Sequence, residues 1–141
     1  MPVILYNATS EASLDAKLAL ANGGTLEIRD AAQPAVNVAP AGNLVLEYPM
    51  GSPAFANAVA DGTSATAAAN GLPVNDDALV TADLVLAGHG VIRDLLSNVV
   101  LTGNVGATGS GATFELADLN PTIGDTVALT AINASEIQQG S

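Results

Sequence analysis

An apolar–polar alternation of period two returns at residues 25–29, 44–48, 80–86 and 127–131. In the first stretch Leu26 and Ile28 share one face, with Thr25, Glu27 and Arg29 on the other. Leu44, Leu46 and Tyr48 repeat the pattern against Val45 and Glu47, and so do Val80, Ala82, Leu84 and Leu86. The last stretch sets Val127, Leu129 and Ala131 inward. A helix scatters such residues around its axis, whereas a strand collects them into one dry face and one wet face. Turn signals separate the stretches: 49–53 (PMGSP), Asp61-Gly62, Gly88-His89-Gly90 and Asp118-Leu119-Asn120-Pro121. Roughly eight or nine short strands on this spacing define an all-β chain, an antiparallel β-sandwich or jelly-roll-like domain.

One short N-terminal helix is expected ahead of the first strand. Ser10 suits an N-cap, Glu11 suits the first turn, and Leu14, Lys17, Leu18 and Ala21 recur at helical spacing. Asn22-Gly23-Gly24 should stop it, with Gly23 or Gly24 at positive φ. A helix so short is marginal alone and should pack on the sheet.

The remaining elements follow from local chemistry. Residues 31–42 hold Pro34 and Pro40 and read as an irregular connection. Residues 54–69 are alanine-rich, but Asp61-Gly62 is a hairpin signal, so two weak strands are expected. A central strand is expected over 79–87, a turn at 88–90, and strands at 91–95 and 98–102. Residues 103–111 (GNVGATGSG) read as a flexible loop, followed by strands at 113–116 and 125–133. The whole of 1–141 reads as one domain, with 135–141 a loose tail. At the other end, 1–8 is extended in character, either a core strand or an arm that pairs with a neighbouring subunit. Val3, Ile4, Leu5 and Tyr6 are therefore the candidate partner-binding residues.

Composition narrows the function classes. With 49% hydrophobic and 12% charged residues the chain is not of the disordered class, and with 3% aromatics Val, Leu, Ile and Ala must fill its core. The absence of cysteine excludes disulfides, cysteine zinc sites and thiol nucleophiles. Fourteen acidic against three basic residues (Lys17, Arg29, Arg93) give a net charge of −11. Phosphate backbones and anionic membranes repel such a surface, so neither nucleic acid nor membrane is expected as a partner. Residues 1–6 lack the basic start and the length of a signal core. The uncharged run 95–114 is broken by glycines and polar residues, which gives strands and a loop rather than a membrane span.

No stretch assembles a catalytic or metal motif. Residues 106–113 (GATGSGAT) approach a phosphate-binding loop, but Ala112 stands where lysine is required and a strand pattern follows. His89 has no second histidine or cysteine for zinc, and reads as a solvated turn residue between glycines. Ser97, Asp83 and Asp94 could complete a nucleophile set with it, as residues of any sequence could. Asn75-Asp76-Asp77 lacks the spaced ligands of a calcium loop and reads as a polar turn. Accordingly no catalytic, cofactor-binding or metal residue is assigned, and the chain is not expected to be an enzyme.

The order of helix, Asn-Gly-Gly stop, TLEI strand at 25–28, Gln33-Pro34, GNVGATGSGATFEL at 103–116 and GDTVALTAI at 124–132 resembles a family of small tailed-bacteriophage virion proteins. Some members of that family resemble capsid decoration, or cement, proteins. The likeness spans about Leu14 to Ile132 and differs at 82–94, where relatives often carry an aromatic-rich strand. It implies a structural protein on the outer capsid surface, with the major capsid protein as partner and homo-oligomers on the shell. It implies no cofactor and no catalytic residue. Another virion component, of tail or head-completion type, is the alternative, and a carbohydrate-binding or enzymatic β-sandwich module is a third.

Overall fold

The computed structural model describes residues 6–70, 74–75, 88–119 and 127–137. Among the described residues one helix, α1 (Asn7–Ala19), precedes nine strands: β1 (Thr25–Arg29), β2 (Leu44–Pro49), β3 (Val59–Ala60), β4 (Ser64–Ala68), β5 (Val74–Asn75), β6 (His89–Arg93), β7 (Val99–Ala107), β8 (Phe114–Leu116) and β9 (Ala128–Ile137). They form one open mixed sheet in the order β2-β1-β6-β7-β8-β9-β4-β3, with β5 paired to β9 beside β4. Every pairing is antiparallel except β7 with β8. The fold is thus mostly β with one helix, as the alternation predicts, but the sheet is not closed on itself and is not purely antiparallel.

Alternation holds where the ladder is regular and shifts phase where it bulges. Leu26 and Ile28 of β1 are fully buried. In β2 the register passes from Ile28↔Leu46 to Arg29↔Leu44, so Val45 is an extra residue. Val45 is consequently buried together with Leu46 and Tyr48, not exposed opposite them. A second bulge, between Glu115↔Ala131 and Leu116↔Leu129, makes Thr130 the extra residue of β9. Beyond it the inward positions are Ile132 and Ala134, not Ala131. The loose tail expected at 135–141 is also corrected in part: Ser135 to Ile137 continue β9, and Ser64 pairs with Ile137.

The helix begins earlier than its sequence signals suggest. Tyr6 holds the N-cap position without a side-chain bond, and Ser10 lies inside α1, buried, its hydroxyl without a partner. Glu11 therefore sits beyond the first turn. Leu14, Leu18 and Ala21 are buried as the spacing predicts, while Lys17 is exposed. The helix packs on β3, β4 and β9, where Ala58, Ala65, Ala67 and Ala134 are buried. Small side chains there bring the helix backbone close to the sheet. At its end Gly23 has φ +70 and donates its amide to the Gly51 carbonyl at 2.9 Å. Gly24 is required for a different reason: a Cβ there would overlap the Arg93 carbonyl.

The hairpin expected at Asp61-Gly62 joins β3 to β4, with Gly62 at φ +93. The Asp61 carboxylate accepts from the Thr63 and Ser64 amides at 2.9 and 3.0 Å. The strand expected over 79–87 falls outside the described residues, apart from its neighbours at 88–90.

Gly88-His89-Gly90 is not a turn. His89 and Gly90 open β6, and His89 is fully buried. A Cβ on Gly88 would overlap the Ala31 backbone and one on Gly90 the Phe114 ring. These glycines serve close approach instead of chain reversal.

Residues 103–111 are likewise not one flexible loop, because β7 runs through Gly103 and Gly106 to Ala107. Only residues 108–113 then join β7 to its parallel neighbour β8, far fewer than the roughly dozen a parallel crossover ordinarily needs. The short return is possible because it lies against strand positions that carry no side chain. A Cβ on Gly103 would meet Thr113 at 2.6 Å, and one on Gly106 would meet Ser110 Oγ at 2.5 Å.

Ser10→Ala tests the helix start. With the hydroxyl buried and unpaired, stability should stay within about 0.5 kcal/mol or rise, whereas loss of a true N-cap costs about 1 kcal/mol. Urea unfolding of the two proteins distinguishes these outcomes.

Candidate functional site

The near-match to a phosphate loop acquires a physical meaning in the fold. The amides of Gly109 and Gly111 converge on an anion, but the anion is the carboxylate of Glu115. Gly109 N donates to Oε1 at 2.7 Å and Gly111 N to Oε2 at 3.2 Å. Asn133 Nδ2, from β9, donates to Oε2 at 2.8 Å and to the Ala112 carbonyl at 2.9 Å. Both glycines have positive φ (+84 and +81), which turns their amides toward the carboxylate. Glu115 is buried, so the loop is occupied by the chain's own side chain.

His89 is similarly absorbed by the fold. Its Nδ1–H donates to the Ala31 carbonyl at 2.6 Å, which ties β6 to the 31–43 connection. Its Nε2 is buried without a partner. Asp94 lies five residues on, a strand distance of about 16 Å, and Ser97 lies beyond it in the β6–β7 turn, so the three do not form a catalytic set. Asp83, Asp76 and Asp77 lie outside the described residues, and Asn75 lies in β5. Among the described residues no group of three His, Cys, Asp or Glu side chains could hold a metal ion. No helix among them is long and apolar enough to cross a membrane.

Arg29 and Arg93 are also committed internally. Glu27 Oε1 accepts from Arg29 Nε at 3.2 Å and from Arg93 Nε at 2.9 Å. Arg29 Nη1 also donates to the Gly42 carbonyl and Arg93 Nη1 to the Ser97 carbonyl, each at 3.0 Å. Glu27 thereby holds the 31–43 connection and the β6–β7 turn in place through two arginines.

That turn carries the most conspicuous surface feature. Leu95 and Leu96 are 76% and 83% exposed, on consecutive positions of a hydrogen-bonded turn. Asp94 Oδ1 accepts from the Leu96 amide at 2.8 Å and the Asn98 amide at 2.9 Å. Asp94 N donates to the Asn98 carbonyl at 2.9 Å, and Ser97 closes the turn at φ +67. The Asn98 amide, helped by the Asn98 side chain and the Leu96 amide, holds the Asp94 carboxyl below its ordinary range. Beside the turn lies a groove of about 650 Å³ between residues 33–40 and residues 99–102 of β7. Gln33 Nε2 bridges it to Thr102 Oγ1 at 3.1 Å, and Val36, Val38 and Val99 are exposed around it. The apolar tip and the mixed-polarity groove beside it are the candidate interaction surface, which the sequence alone did not reveal. The signal was present in consecutive leucines between Asp94 and Asn98.

Of the predicted partner-binding residues, Val3, Ile4 and Leu5 lie outside the described residues. Tyr6 is described, at the start of α1 and 81% exposed.

Comparison of the chain with protein-family models, with curated proteins and with solved structures finds no match.

Glu115→Gln keeps the side-chain shape but removes the charge and one acceptor facing the glycine amides. It should cost about 2–3 kcal/mol in urea unfolding, the scale of charge-assisted hydrogen bonds in a buried site. A loss below about 0.5 kcal/mol would reject the internal-anion account. For Asp94 the sign is that of a depressed carboxyl. Its contribution is present above about pH 4, the ordinary value for Asp, and is lost as pH falls through the lower folded value. Carbon-detected NMR titration should place its midpoint below that of an unstructured aspartate, with the Asn98 amide shift following it.

Proposed function

We propose that the protein is a structural, non-enzymatic component of a bacteriophage virion, bound in many copies to the outer surface of the capsid. The observation that carries this reading is the pair of exposed leucines on a braced turn, beside a groove of mixed polar and apolar lining. A contiguous exposed apolar patch is a mark of interaction surfaces, and the two leucines with nearby Val36, Val38 and Val99 supply apolar area for one. A preorganised turn lowers the ordering cost of such a contact. The family resemblance names the partner class, the major capsid protein. The net charge of −11 keeps free copies apart until a capsid site captures them, and disfavours the DNA-facing interior.

Val3, Ile4, Leu5 and Tyr6 form a second proposed contact, resting on their apolar sequence and on the exposure of Tyr6. The finer fold belongs with this reading. We take the two ends of the open sheet as opposed leaves of a sandwich-like domain. Tyr48 of β2 donates its buried hydroxyl to the Val127 carbonyl at 2.8 Å, and one core cluster joins Leu26 and Tyr48 to Leu129 and Ile132.

Quantitative mass spectrometry of purified virions tests the role. Decoration requires a copy number comparable with that of the major capsid protein. A handful of copies, or a position confined to the tail, would favour a tail or head-completion component. Leu95→Ser with Leu96→Ser should weaken capsid binding at least ~10-fold, with unchanged far-UV circular dichroism.

A further inference from the structure

β7 spans Val99–Ala107, yet β8 pairs with it only at Val105, Gly106 and Ala107. Thr113 fills the next step, where its amide donates to Asn104 Oδ1 at 3.0 Å and its side chain lies over Gly103. The stretch 99–102 lies against β6 on one margin, and no strand among the described residues pairs with the other. The surface there has the form of an open strand edge. The groove against residues 33–40 touches all four consecutive residues from Val99 to Thr102. A second cleft, of about 250 Å³, touches Val100 and Leu101 from the side of α1, where Leu14, Leu18 and Leu20 line it. Alternate strand residues point to opposite faces, so hollows that each touch consecutive residues run along the strand's margin.

This margin also lacks the usual guards. Sheet edges are ordinarily blunted by charge, by proline or by a cover. β2 carries Glu47 and Pro49, and the Ala58 and Ala60 amides leading through β3 are taken by Asp15 and Glu11 of α1. Residues 95–114 contain no ionisable side chain and no proline.

We infer that the open margin of β7 at 99–102 receives an extended segment of a different protein as an added strand. Backbone pairing supplies the affinity, and side chains alternating between the two hollows supply the selectivity. Those facing α1 meet Leu14, Leu18 and Leu20, and are apolar. Those facing the groove meet Gln33 and Asn37 beside Val36 and Val38, and suit threonine or serine. Lys17 and Arg93 border the two hollows, so the paired stretch itself carries no cation. Basic residues belong outside it, because a net charge of −11 attracts a cationic partner and opposes a second copy of the chain. The turn bearing Leu95 and Leu96 runs directly into Val99, so the edge continues the candidate interaction surface. The inference rests on the reading of that turn as a contact surface, and names what the partner brings to it.

NMR titration of the isotope-labelled full chain tests it with a synthetic strand, acetyl-Arg-Gly-Thr-Val-Thr-Val-Thr-Gly-Arg-amide. Saturable amide shifts are expected at 99–102, accompanied by Leu14, Leu20, Val36 and Val38, while β4 stays unmoved. The same strand with glutamate in place of both arginines should bind at least ~5-fold more weakly. Absence of saturable shifts at 99–102, or tighter binding of the glutamate strand, would overturn the inference. Broadening at 99–102 with protein concentration alone would also overturn it, by making a second copy the occupant. Hydrogen exchange on capsids carrying the protein separates this inference from the virion role. Slower exchange at 99–102 than in the free protein is the expected result. Capsids that bind the protein but leave those amides at the free rate would overturn the inference and leave the role standing. Binding of the synthetic strand by a protein absent from capsids would overturn the role alone.

Discussion

The return from β7 into β8 is the constraint on which the remaining architecture depends. A parallel pair joined by residues 108–113 demands that the backbone double back against the strand it has just left. Gly103 and Gly106 provide the room, and the carboxylate of Glu115 gathers the turned amides of Gly109 and Gly111. Asn133 ties the same carboxylate to β9 and donates its backbone amide to the Thr113 carbonyl at 2.8 Å. One buried anion thereby sets the order β7-β8-β9 in the middle of the sheet. The strands on either side, β6 and β4, inherit their positions from it.

The rest of the polar chemistry has a similar character, with acidic groups spent on backbone amides and on arginines. Asp61 and Asp94 close turns, Glu27 anchors two arginines, and Glu11 and Asp15 reach the margin of the sheet. A chain with 14 carboxylates and 3 cations cannot organise itself by ion pairs. It uses carboxylates as hydrogen-bond acceptors, where each replaces a water at an otherwise unpaired amide.

Sequence patterning was most informative where the cause of structure is local. The faces of 25–29, the Asp61-Gly62 hairpin and the Gly23 stop all follow from adjacent residues. Glycine was ambiguous, because the same residue marks a turn and a close approach. Gly88, Gly90, Gly103 and Gly106 serve the second purpose, and only their distant neighbours Ala31, Phe114, Thr113 and Ser110 show it. Bulges at Val45 and Thr130 shifted the inward phase by one residue without any local signal. Ser10 and Glu11 formed a convincing helix start in sequence, yet Glu11 is drawn instead to Ala60, 49 residues away. The exposed leucines were legible as residues but not as a surface, since exposure is set by the turn that Asp94 braces.

Amide exchange at Gly109 and Gly111 tests the central claim most directly, since a glycine-rich surface loop and an occupied anion cradle differ there most. If Glu115 holds these amides within the fold, both should exchange as slowly as the neighbouring strand amides of β8 and only on global unfolding. Exchange at the rate of an open loop, with β8 still protected, would contradict the account.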